Sequence, residues 1–75
     1  MQPYANLGGD SGVISFEIGN GYIVVQFKDG MNYKYTVQSA GAQNISEMQS
    51  LALAGRGLNS FISKYVRKGY SEKWK

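Results

Sequence analysis

The sequence contains no cysteine and no histidine, and these two absences do most to bound its chemistry. Without cysteine there is no disulfide to brace a small core, and without either residue the two commonest zinc ligands are missing together. Serine–histidine and cysteine–histidine nucleophile pairs are excluded, as is histidine acid–base work. Acidic residues are few: Asp10, Glu17, Asp29, Glu47 and Glu72 are scattered, and no loop spaces them as a calcium site requires. Neither G-x-x-x-x-G-K-[ST] nor a G-x-G-x-x-G after a strand is present. No apolar run approaches the ~20 residues of a membrane span. The first twelve residues have neither the basic start nor the apolar run of a signal peptide. The expectation is a cytoplasmic protein that is not an enzyme and takes no metal or cofactor.

What is there is a chain of 75 residues, 43% hydrophobic and 17% charged, a composition that folds rather than stays disordered. At this length there is one domain, stabilised by ten aromatic residues and the aliphatic set. Residues 1–12, with Pro3 and three glycines, read as a flexible lead-in. Residues 13–68 read as the folded domain, and 69–75 as a basic tail.

Period-two alternation marks three strands. Ile14, Phe16 and Ile18 alternate in the first, Ile23, Val25 and Phe27 in the second, and Met31, Tyr33, Tyr35 and Val37 in the third. Side-chain parity sets the hairpins. Asn20-Gly21 as a two-residue type I′ turn pairs Ile18 with Ile23. A three-residue loop of Lys28, Asp29 and Gly30, with Gly30 at positive φ, pairs Phe27 with Met31 and Val25 with Tyr33. Beyond the strands, Asn44-x-x-Glu47 resembles a helix capping box, and Ile45, Met48, Leu51 and Ala52 carry a helix to about Ala54, where Gly55-Arg56-Gly57 ends it. Leu58, Phe61, Ile62, Tyr65 and Val66 recur at i, i+3, i+4, i+7 and i+8, the stripe of a second helix ending near Gly69. The predicted fold is α+β: a three-stranded antiparallel meander with one face covered by two C-terminal helices, with Phe16, Phe27, Phe61 and Ile62 at the centre of the core.

Two stretches carry a family resemblance. Phe27-x-x-Gly30-x-x-Tyr33-Lys34-Tyr35-x-Val37 followed by Gly57-x-Asn59-x-x-Ile62-x-x-Tyr65 resembles the KTSC domain, a short module at the C-terminus of some lysyl-tRNA synthetases and a stand-alone bacterial protein. The family's hallmark is a central Y-x-Y, here Tyr33-Lys34-Tyr35, and the likeness spans roughly residues 13–66. The chain departs from the pattern at Gln38, where proline is common, and around the glycine turn at Ala54 and Arg56, where serine is common. The resemblance implies a small α+β fold, and the synthetase context suggests RNA as a partner.

Tyr33 and Tyr35 admit base stacking, but parity places them under the helices and favours core packing. Asn59 reads as a structural asparagine bonded to backbone. Charge is the clearest functional signal. Residues 1–55 carry a net charge of −2 and residues 56–75 a net charge of +5. Arg56, Lys64, Arg67, Lys68, Lys73 and Lys75 are interleaved with Tyr65, Tyr70 and Trp74, a combination suited to phosphate contacts and base stacking. The candidate nucleic-acid-binding set is therefore Arg56, Lys64, Arg67, Lys68, Lys73, Trp74 and Lys75, with Tyr70 as a further stacking group. A non-catalytic module binding RNA or DNA with little sequence preference is the leading expectation. The alternative is a protein-interaction or self-association module using the open sheet face of Tyr22, Val24, Gln26, Asn32, Lys34 and Thr36, or a free edge strand.

Overall fold

A computed structural model describes every residue except Asp10, so that member of the acidic set lies outside the described residues. The chain is α+β, with one antiparallel sheet whose strand order follows the sequence. The strands are β1 (Gln2–Pro3), β2 (Val13–Gly19), β3 (Tyr22–Phe27), β4 (Asn32–Thr36) and β5 (Tyr70–Trp74). Helices α1 (Val37–Ala40), α2 (Ala42–Ala54) and α3 (Leu58–Phe61) lie between β4 and β5, and α3 runs directly into a π-helical turn, Ile62–Val66. The expected three-stranded meander is thus the centre of a five-stranded sheet, and the expected second helix is a short α-helix continued by a π-turn.

The central pairings follow from side-chain parity. Ile18 lies opposite Ile23, and Val25 opposite Tyr33. The Lys28–Gly30 loop closes with Gly30 N donating to Phe27 O and Phe27 N donating to Met31 O, both at 2.9 Å, and Gly30 has φ +88°. The first hairpin differs from the expected type I′ form, which needs positive φ at both central residues. Only Gly21 has it, at +82°. Gln49 of α2 holds the ends of this hairpin, its Nε2 donating to Gly19 O (3.1 Å) and Tyr22 O (3.0 Å).

The core departs from simple alternation at one position. Val13 pairs with Phe27 and Ser15 with Gln26, so Ile14 is the extra residue of a β-bulge. Ile14 is turned out and 45% exposed, and Val13, 3% exposed, takes the core place expected of it. From there Phe16, Ile23, Val25 and Tyr35 form the sheet side of the core, against Ile45, Met48 and Ala52 of α2 and Leu58, Ile62 and Val66 of the last helical segment. Phe27 and Phe61, expected at the centre, are only partly buried at its margin. Leu58, Ile62 and Val66 recur every fourth residue, which leaves Phe61 and Tyr65 stacked obliquely on the flank with centroids 4.8 Å apart.

Both chain ends join the fold. Gln2 and Pro3 pair with Phe16 and Ser15, and Tyr4 is buried with its ring edge-on to Phe16. The Tyr4 hydroxyl accepts from Leu58 N (3.3 Å), an amide in the first turn of α3 that has no partner within the helix. Residues 2–4, expected within a flexible lead-in, are therefore part of the fold. Residues 70–74, expected within a tail, form β5 against β4, with Ser71 as a second bulge residue whose Oγ donates to Lys34 O (3.2 Å). Two helix boundaries shift as well. Thr36 and Ser39 form a capping box that ends β4 before Val37 and starts α1. Asn44 does not cap: α2 begins at Ala42, and Asn44 Nδ2 donates back to Ala40 O at 2.8 Å.

Candidate nucleic-acid interface

β3, β4 and β5 bring four aromatic side chains to the helix side of the sheet. Phe27 meets Tyr33 edge to face at 5.4 Å, Tyr33 meets Tyr70 at 5.0 Å, and Tyr70 meets Tyr35 at 6.4 Å. Such T-shaped contacts hold each ring by its neighbours' quadrupoles and leave little freedom of orientation. Tyr35 is buried beneath the others, and loss of hydration together with its neighbours Tyr33 and Tyr70 raises its phenol above the ordinary tyrosine range. Phe27, Tyr33 and Tyr70 remain partly open to solvent.

The helices do not close over these rings. A cleft of about 430 Å³ runs between them and the π-turn, lined there by Ile62 and Ser63. Such a volume falls within the roughly 300–1,000 Å³ of small-ligand sites. The π-turn packs an extra residue into one helical turn, an arrangement often found at functional sites. Arg67 and Lys68 follow it directly and line the cleft, while Lys73, opposite Tyr33 on β5, places its Nζ 5.6 Å from the centre of the Tyr70 ring. Asp29, in the β3–β4 turn, also lines it, its Oδ1 accepting from Met31 N at 2.9 Å.

The structure divides the candidate set. Arg67, Lys68 and Tyr70 line the cleft, and Lys73 stands beside it, its Nζ against the Tyr70 ring. Lys64 is exposed on the π-turn, and Lys75 lies beside Gly30, in the same turn as Asp29. Arg56 faces a separate cleft of about 210 Å³, formed with Tyr4, Asn6 and Asn59. Trp74 lies opposite Asn32, on the other face of the sheet. There it joins Tyr22, Lys34, Glu17 and Glu72 around a concavity of about 370 Å³. Its two carboxylates make that face a poor seat for phosphate. The Tyr22 hydroxyl donates to Glu17 Oε2 at 3.0 Å, which raises the Tyr22 pKa. Lys34 Nζ stands 4.8 Å from the Tyr22 ring centre.

Charge reading missed Phe27, Tyr33 and Asp29. Y-x-Y marked Tyr33, but alternation gives both tyrosines of that motif the same face and says nothing of where the helices stop.

No protein-family model, curated protein or solved structure matches the chain. Among the described residues no group of three or more acidic, cysteine or histidine side chains is placed to hold a metal, and no helix is long and apolar enough to cross a membrane.

Proposed function

We propose that the chain is a non-catalytic cytoplasmic module that binds single-stranded RNA or DNA along the aromatic cleft. The observation that carries this reading is the joining of partly open rings with cations in one concavity: Phe27, Tyr33 and Tyr70 with Arg67 and Lys68. Single-strand binders combine these two ingredients, rings on which bases stack and positive charge that tracks the backbone. Lys73 adds charge from β5, and Lys64 and Lys75 extend it to either side. Kinship with the KTSC domain belongs to the same proposal. Its Y-x-Y pair would divide the work, with Tyr35 as the buried support and Tyr33 as the ring within reach of a ligand.

A fluorescence-anisotropy titration with labelled single-stranded RNA at two salt concentrations tests the reading. Three or four neutralised phosphates give a log–log salt slope of about −2 to −3. Arg67→Glu with Lys68→Glu is expected to weaken binding to all sequences alike, while Arg56→Glu, at the separate cleft, has a smaller effect. Absence of binding at low salt, where nonspecific attraction is strongest, would eliminate the proposal.

The alternative, a protein-interaction module, has one observation in its favour. Met1 and Trp74 line the concavity on the open sheet face with much of their surface in water, although Val24 beside them is buried. An apolar contact there would be nearly insensitive to salt, and the same titration separates the two.

A further inference from the structure

The cleft holds one group that phosphate binding does not explain. Asp29 places a carboxylate in a concavity whose other charged lining residues are Arg67 and Lys68. A negative charge there opposes a polyanion, so whatever Asp29 contributes to binding comes from something other than attraction to phosphate. Asp29 is exposed, and its Oδ1 accepts from Met31 N at 2.9 Å, which orients the carboxylate within the three-residue turn; each oxygen keeps a lone pair for a further donor. An ionised carboxylate only accepts hydrogen bonds, so its partner on a ligand must be a donor.

We infer that the cleft seats one nucleotide with a preference for guanine, its base against Phe27 and Tyr33, its Watson–Crick edge donating to Asp29, and its phosphate toward Arg67 and Lys68. The inference rests on the reading of this cleft as a nucleic-acid interface and adds selectivity at one position of an otherwise sequence-tolerant surface. Guanine presents two adjacent donors, N1–H and the exocyclic N2 amine, which a carboxylate accepts side by side. Uracil presents a single N3–H between two carbonyl oxygens, and both oxygens are repelled by the carboxylate. Cytosine and adenine each pair an amine with a ring-nitrogen acceptor, so only half of their edge is compatible. The cleft volume of about 430 Å³ suits one nucleotide rather than a run of stacked bases.

The experiment compares two labelled RNA octamers, octauridine and the same strand with one central guanosine, against the wild-type chain and Asp29→Asn. Asparagine retains an oxygen for the Met31 amide, and a thermal melt confirms that the turn survives. The guanosine octamer is expected to bind the wild type about tenfold more tightly, near the lower end of what a two-bond base contact discriminates. Inosine, which lacks the exocyclic amine, should lose most of that gain. In Asp29→Asn the preference should disappear, while octauridine binds as well as before or slightly better because one negative charge is gone. Equal affinity of the wild type for the two octamers, or a preference that persists in Asp29→Asn, would overturn the guanine assignment alone. Failure of both octamers to bind at low salt would overturn the interface reading and this inference with it.

Discussion

At the scale of single residues, Val13 and Ile14 show how a bulge inverts a burial pattern. Continuous alternation assigns Ile14 to the core, whereas the bulge buries Val13 and exposes its larger neighbour. Val13→Ala is therefore expected to cost about 1–3 kcal/mol. Ile14→Ala should change stability by no more than about 0.5 kcal/mol. Denaturant midpoints decide between them, and uninterrupted alternation would give the reverse order. A second prediction concerns Tyr35. Its phenol holds its proton more firmly folded than unfolded, since ionisation would put a charge in the core. Below pH 10.0, the ordinary tyrosine value, both states are protonated and the residue adds no pH dependence. Above it the unfolded chain releases the proton and the folded chain keeps it, so stability falls by up to about 1.4 kcal/mol per pH unit. Urea melts from pH 9 to 11 should show a shallower fall for Tyr35→Phe than for the wild type.

At the scale of elements, what was legible in the sequence was whatever is local and periodic. Both internal hairpin registers follow from alternation and loop parity, and α2 ends at Gly55, where φ reaches +76°. The outer strands were hidden for a physical reason. Gln2–Pro3 is too short to show a period, and Tyr70–Trp74 is exposed apart from Tyr70, so neither displays an apolar face. Edge strands are held by backbone pairing and one or two anchors, here Tyr4 and Tyr70, and hydropathy does not report backbone pairing. The π-turn was equally silent, since its residues fit an α-helical stripe. If residues 70–75 were a solvated tail, deleting them would leave the melting temperature unchanged. As a strand they supply the Tyr70 contacts with Tyr33 and Tyr35, and their deletion is expected to cost about 2–4 kcal/mol. Thermal melts of the chain ending at Gly69 measure this directly.

At the scale of the molecule, the charge gradient along the chain foretold which part of the sequence supplies the cations but not how the fold distributes them. Arg67, Lys68 and Lys73 gather because the π-turn and β5 flank the same rings, while Arg56 and Trp74 are carried to other surfaces by the α2–α3 junction and by strand alternation. The order of the sheet adds a consequence for assembly. Neighbouring strands from β2 to β4 are joined by tight turns, so their contacts close short loops. The β4–β5 pairing alone in the sheet spans all the helices, and it carries the largest loop-closure entropy. Tyr70 reaches the cleft through that pairing, and Lys73 is brought beside the Tyr70 ring by it. The cleft is thus the part of the molecule that depends most on completed folding: a partly folded chain can form the meander and still lack a wall of the site. A ligand bound there would act as a clasp on the final strand, drawing the closing of the sheet and the filling of the site into one equilibrium.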